Sequence, residues 1–225
     1  MELNFGKADL HIHSNYSKDA FSSVKEILEK ADEINLDIIA ITDHDTMEGV
    51  KEAEKITSQF KVKLIKGEEI ETKEGHLIGL FIENFISPGK PILDTVREIH
   101  QQGGLSIVPH PLARFSQGIS LETLSQVFEE VDGIETFNAS WLGWINRKKV
   151  EKLNSQLFHL AQIGGSDAHI LRQIGKGYTI FEGKPPSDLY SAIKNKTTRA
   201  EGYFNLLGYL ELFIKQPKRI LTSRD

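Results

Sequence analysis

Short apolar runs alternate with helical patterns from one end of the chain to the other, and this alternation limits the fold more than any single residue. Asp37-Ile38-Ile39-Ala40-Ile41-Thr42 is almost wholly apolar, which suits a strand buried on both faces. Before it, Ser23-Val24-Lys25-Glu26 is a capping-box pattern, and Val24, Ile27, Leu28, Ala31 and Ile34 recur at helical spacing. After it, the pattern predicts a charged helix over 47–60, strands over 63–70 and 76–82, a loop at Pro88-Gly89-Lys90-Pro91 and a helix over 92–102. A strand over 105–109, a helix over 121–129, a strand over 133–137 and a long charged helix over 146–161 follow. The strand carrying Gly165-Ser166-Asp167 comes next, then one over 177–181, with Ser187 as a cap for the helix after it. About seven such units argue for a parallel sheet closed, or nearly closed, into a barrel, with its chemistry at the C-terminal ends of the strands.

No repeat or linker divides the chain, so 1–225 reads as one domain. Beyond Gly202, the residues Phe204, Leu207, Leu210, Phe213 and Ile214 form an apolar stripe at helical spacing. They predict a helix over about 203–219 packed on one end of the barrel, with a dimer face as the lesser alternative.

The polar residues fall where the predicted strands stop: Asp9-Leu10-His11-Ile12-His13, Thr42-Asp43-His44, Gly67-Glu68-Glu69, Pro109-His110-Pro111 and Gly165-Ser166-Asp167-Ala168-His169. With no Cys in the chain, any metal must take nitrogen and oxygen ligands, and imidazole and carboxylate suit borderline divalent ions. His11 and His13 lie two apart on a strand and point the same way, as do Asp167 and His169. The same alternation puts Asp9 on their face, where it can orient a ligand. One such fragment alone would be a solvated strand end, but five together point to a multi-metal hydrolytic site. Of Glu68 and Glu69 only one can face the barrel, and Asp43 and Asp45 serve equally well as helix caps. His100 and His159 read as helix packing, and His76 as structural or as a residue behind the site. A net charge of -5 gives no bulk attraction for nucleic acid. Neither a secretory leader nor a run long enough to span a membrane is visible, so the expected setting is cytoplasmic, without a membrane partner. No oligomer is otherwise indicated.

The ordered motifs D-L-H-x-H-S, S-x-D-A, T-D-H, G-x-E, P-H-P and G-S-D-A-H resemble the PHP (polymerase and histidinol phosphatase) superfamily, from Asp9 to His169. The resemblance implies a distorted (β/α)7 barrel and a metal-dependent phosphoesterase. It implies that His11, His13, Glu69 and Asp167 hold one metal and Asp19, His44 and His169 a second, with Glu69 and His110 reaching toward a third. The best-known trinuclear members have a His where this chain has Asp19; others have Asp. They also have a His in the stretch matching 138–143, where this chain has none. The expectation is therefore two tightly held ions, of zinc, manganese or iron, and a third that is weak or depends on substrate.

Such a site implies phosphate-ester hydrolysis by metal-activated hydroxide. Arg114 and Arg172, on loops after site strands, could each clamp a phosphate or simply face solvent. The short stretch from His110 to Glu135 leaves little material for a substrate cap, and the preferred substrate is a small phosphomonoester or nucleotide. Short oligonucleotide ends are the runner-up, with Arg147-Lys148-Lys149 as a possible backbone contact. An amidohydrolase-type reaction on a non-phosphate bond is a further alternative, and a non-catalytic metal module the least favoured.

Overall fold

Apolar side chains fill the barrel, and polar ones follow where the strands reach its mouth. In β3 (Lys63–Thr72), Ile65 belongs to the interior cluster, and period two carries Gly67 and then Glu69 inward, with Ile70 outward in the outer core. The computed structural model describes the backbone of residues 4–222 and the side chains of residues 4–215. The extreme ends of the predicted 1–225 domain lie outside the described residues.

In chain order the other elements are β1 (Phe5–Ile12), α1 (Val24–Glu33), β2 (Ile38–Ile41), α2 (Glu48–Ile56), β4 (Gly75–Leu80), α3 (Ile92–Gln101), β5 (Leu105–Val108) and α4 (Leu121–Val127). They continue with β6 (Gly133–Asn138), α5 (Trp141–Leu153), β7 (Ala161–Gly165), β8 (Gly177–Glu182), α6 (Pro186–Lys194), β9 (Arg199–Gly202) and α7 (Leu206–Thr222). One nine-stranded sheet runs in the order β7-β6-β5-β4-β3-β2-β1-β8-β9. Strands β1 to β7 curve into a nearly closed, distorted α/β barrel, whose seam is a bridge between Ile12 and Ala168 and the bond from His13 N to Ala168 O, 2.9 Å. Strands β8 and β9 extend the sheet from β1.

The sheet is not wholly parallel, contrary to the expectation above. β4 runs antiparallel to both β3 and β5, and β8 and β9 are antiparallel as well. The physical reason is connection length: Lys73 and Glu74 alone join β3 to β4, too short for a parallel crossover. Helix α5 starts earlier than predicted because Ser140 accepts from Gly143 N at its N-terminus. The capping box at Ser23 and Glu26 forms as read.

Two apolar layers hold the barrel. Ile39, Ile41, Val50, Val96 and Ile134 lie between the sheet and its helices. Ala8, Leu10, Ile38, Ile107 and Ile163 fill the interior, where Leu189 and Ile193 of α6 join them. Helix α6 thus takes the covering role expected of the C-terminal helix. The predicted stripe on α7 stays in solvent, with Leu207 66% and Phe213 68% exposed. Helix α7 is held instead by an Arg172–Glu211 ion pair and by Tyr209, which packs beside Trp141 and Phe204. Among the described residues no helix is long and apolar enough to cross a membrane.

Candidate metal centre

The C-terminal mouth of the barrel gathers His11, His13, Glu69 and Asp167 around one point. His11 Nε2 lies 3.0 Å from His13 Nε2 and 3.3 Å from Glu69 Oε2. Asp167 Oδ1 is 3.5 Å from His11 Nε2 and 3.4 Å from His13 Nε2, and Glu69 Oε2 is 3.3 Å from His13 Nε2. A tetrahedral ion with bonds of about 2.0–2.1 Å would hold its ligand atoms about 3.4 Å apart. The donor set therefore fits a divalent cation.

The orientation of each ring supports this fit. His11 Nδ1 donates to Glu135 Oε1 at 3.0 Å, which leaves the Nε2 lone pair aimed at the centre. His13 Nδ1 meets Ser17 Oγ at 3.2 Å, and Ser17 Oγ in turn donates to Asp43 Oδ1 at 2.7 Å. Two lone pairs and two carboxylates converging in a buried place need positive charge between them.

A second group forms around Asp19, whose Oδ2 is 3.2 Å from His169 Nε2 and 3.7 Å from His44 Nε2. The other oxygen, Asp19 Oδ1, is buried without a hydrogen-bond partner. A third group surrounds Glu69 Oε1, which lies 2.9 Å from both His110 Nε2 and His76 Nδ1. Glu69 thus faces two of these groups with different oxygens, a geometry suited to a bridging ligand.

His76 is the residue that the sequence reading leaves behind the site. A search for ligands at strand C-termini passes over it because it begins β4. That strand is reversed, so its first residues stand at the same end of the barrel as the last residues of its neighbours. The two-residue connection through Lys73 and Glu74 was the available signal. His76 Nδ1 stands beside Glu69, within reach of His44, so it joins the groups that could hold an ion. Asn138, in the stretch 138–143, donates to Glu135 Oε2 at 2.7 Å.

Asp9 behaves differently from its expected role. It accepts from Ser166 N at 3.0 Å and Gly175 N at 2.8 Å, and its carboxylate touches no imidazole. The register of β1 on β2 shifts between Asp9 and Ile12, so the alternation that would align Asp9 with His11 is broken. Asp9 positions the backbone next to Asp167, while Glu135 orients His11. Asp43 binds Ser14 and Ser17, Asp45 accepts from Glu71 N, and neither caps α2.

Local backbone geometry turns the ligands inward. His110 and Asp167 have φ values of 27° and 53°, a left-handed conformation unusual for residues with side chains. Gly165 has a steric role, since a Cβ there would collide with Glu135 Oε1 and His11 Cβ.

The centre titrates as a coupled group. Burial and the neighbouring His169 and His44 push His13 down to about 3. Burial opposes charge on His169, but Asp19 and Asp167 raise it to about 9. Burial likewise works against a charged His11, yet Asp167, Glu135 and Glu69 hold it well above its ordinary value. Glu69 and Asp167 remain well below the usual carboxylate range despite burial, because imidazoles surround them. Without metal, protons take the place of cations.

Asp19, His44, Glu69, His110, Asp167 and His169 line a cavity of about 900 Å³, with His11 and His13 fully buried behind them. Its lining carries the carboxylates of Asp19, Asp45, Glu69, Glu71 and Asp167, the imidazoles of His44, His76, His110 and His169, and one lysine, Lys18. Arg172 is occupied by Glu211 Oε2 at 2.9 Å, and Arg114 is exposed on the turn beside the cavity-lining Phe115. Neither arginine is part of that lining. Arg147 donates to Trp144 O and stacks over the Trp144 ring at 4.4 Å.

At the far end of the barrel, His100 Nε2 meets both Asp132 Oδ2, at 2.8 Å, and Ser106 Oγ, at 3.3 Å. Both partners meet the same ring nitrogen, so no proton relay crosses the ring, and the constellation is structural. His159 ends the turn after α5, with φ 50°.

Comparison with known proteins points the same way as this geometry. Residues 9–212 match the PHP domain family. An uncharacterized protein of Methanocaldococcus jannaschii is 37% identical over 144 residues, covering 59% of this chain and 82% of that protein. The Haemophilus influenzae 5'-3' exoribonuclease is 31% identical over 105 residues, covering 45% of this chain and 38% of that enzyme. Among solved structures, a two-domain Bacteroides vulgatus protein containing a predicted PHP-like metal-dependent phosphoesterase superposes with a TM-score of 0.76. It is 20% identical, and the match covers 95% of this chain and 70% of that one, a likeness of fold.

Proposed function

Because this chain belongs to the PHP domain family, a family of metal-dependent phosphoesterases, we propose that it hydrolyses small phosphomonoesters or nucleotides at the mouth of its barrel. The observation that carries this reading is the convergence of the buried His11 and His13 rings on Glu69 and Asp167, two carboxylates that line an open cavity. The acidity of that cavity supports it further. Five carboxylates against one lysine in the lining would repel a phosphate unless cations neutralise them.

His11, His13, Glu69 and Asp167 would hold one ion, and Asp19, His44 and His169 a second. Glu69 and His110, with His76 nearby, would hold the weaker third. When bound, divalent ions supply the Lewis acidity that activates water and offsets charge on the phosphoryl oxygens. The protein's own groups do the rest. Glu135 and Ser17 set the tautomers of His11 and His13, and Asp43 fixes Ser17. Lys18 offers the cavity's ammonium to an incoming phosphate. Arg114 can reach an anion only by swinging in from its turn, and Arg172 only by releasing Glu211.

Short oligonucleotide ends are the second reading, favoured by the likeness to the exoribonuclease. The test is to load the protein with Mn²⁺, Zn²⁺ or Fe²⁺ and assay p-nitrophenyl phosphate, its bis-ester, mononucleotides, and short single-stranded RNA and DNA. Monoester turnover that chelation abolishes is expected, with Mg²⁺ restoring it poorly because it favours all-oxygen sites. Turnover of amide or lactone substrates alone would refute the phosphoesterase reading, as would full phosphatase activity after thorough chelation.

A further inference from the structure

Phe115 is 96% exposed, more than any other large hydrophobic side chain among the described residues. A lone exposed ring needs no explanation, but this one lines the same cavity as the metal-binding groups. It sits on a short turn, Arg114–Ser116, that the metal centre itself braces. Ala113 N donates to His110 O at 3.2 Å, and His76 N donates to Gln117 O at 2.8 Å. The backbone that carries the ring is therefore tied to His76 and His110 of the candidate centre. A second apolar wall comes from α7, whose Leu212 and Phe213 line the same cavity. That wall is also anchored, by Arg172–Glu211 and by Asn205 Nδ2 to Arg172 O at 2.9 Å.

We propose that Phe115 and the Leu212–Phe213 face of α7 form a clamp for a planar ring joined to the phosphate, making the preferred substrate a nucleoside monophosphate. This rests on the phosphoesterase reading above and specifies its substrate class. An aromatic face in solvent stacks on any nucleobase, and such stacking contributes about ten- to a hundredfold in affinity. A cavity of about 900 Å³ suits a ligand of mononucleotide size, and α7 stands at its edge. Gln117, also in the lining, places an amide near the edge of a stacked base.

The test compares adenosine 5′-monophosphate with ribose 5-phosphate, which carries the same ester on the same sugar without the base. The ratio of their kcat/KM values should exceed about ten in the native protein and fall toward one in Phe115→Ala. Phe115→Tyr should keep the ratio. A ratio near one in the native protein, or equal loss on both esters in Phe115→Ala, would overturn the clamp. A short oligoadenylate cleaved faster than the mononucleotide would overturn the choice of a free nucleotide. If neither ester is hydrolysed by metal-loaded protein, the phosphoesterase reading fails by itself. Calorimetric binding of the same pair then decides the clamp: tighter nucleotide binding that Phe115→Ala removes supports it, and equal binding refutes it.

Discussion

Replacing Glu135 by Gln should lower metal affinity at the His11 centre without unfolding the protein. Glu135 is buried and makes three bonds as an acceptor: from His11 Nδ1 at 3.0 Å, and from His110 N and Asn138 Nδ2 at 2.7 Å each. Glutamine keeps the shape but has one oxygen and one NH₂. If the NH₂ faces His11, Nδ1 must become the acceptor and the ring proton moves to Nε2. That is the atom aimed at His13, Glu69 and Asp167, so the lone pair a metal needs is lost. If the NH₂ faces the other way, it opposes two buried donors, each costing about 1–3 kcal/mol. Loss of such an orienting partner typically weakens metal binding about 10- to 100-fold, or about 1.4–2.8 kcal/mol. Zinc or manganese titration against a competing chelator measures this directly, with thermal melts of metal-free protein as the folding control. A folded variant that binds metal as tightly as the native chain would show that Glu135 does not set the tautomer of His11.

Other expectations follow from the same geometry. His44→Ala and Asp167→Asn should each cut kcat at least about a hundredfold, whereas His100→Ala and His159→Ala should do little; similar losses in both pairs would undo the site assignment. Metal analysis should find two tightly held ions and a weaker third that inorganic phosphate strengthens; His76→Ala should abolish that third ion, and an unchanged phosphate-dependent metal count in the variant would exclude His76 from it. Metal-free stability should fall as pH rises from about 6 to 9. His169 is raised from 6.5 to about 9 and burial raises Glu68 from 4.5 to about 8, so both hold protons in the folded state that the unfolded state has released. Their stabilisation is complete below the unfolded values and is lost through the folded ones. Melting temperatures under chelation test this: Glu68→Gln should flatten part of the slope, and a profile flat from the outset would contradict it.

Much of this protein is determined by its sequence alone, because strand and helix periods and ligand chemistry are local properties. Period two lets only one of Glu68 and Glu69 face the interior, and the burial of Ile65 inside the barrel then decides for Glu69. Ser23 and Glu26 start α1 through bonds made within one turn. The spacing of His11 with His13 and of Asp167 with His169 marks pairs of donors before any fold is known. What the tertiary structure decided is direction and reach. The reversal of β4 brings His76 to the mouth of the barrel, and its position depends on strand pairing with β3 and β5. A register shift in β1 turns Asp9 away from His11, and only contact across the barrel joins His11 to Glu135, 124 residues later. The arginines after His110 and His169 had the right charge and loop position, but Glu211 on α7 captures Arg172 and Arg114 stands outside the cavity lining. Helix α7 shows the same division: its amphipathic spacing predicts a helix, whereas α6 packs into the barrel and leaves the α7 stripe in solvent, with Phe213 at the cavity edge.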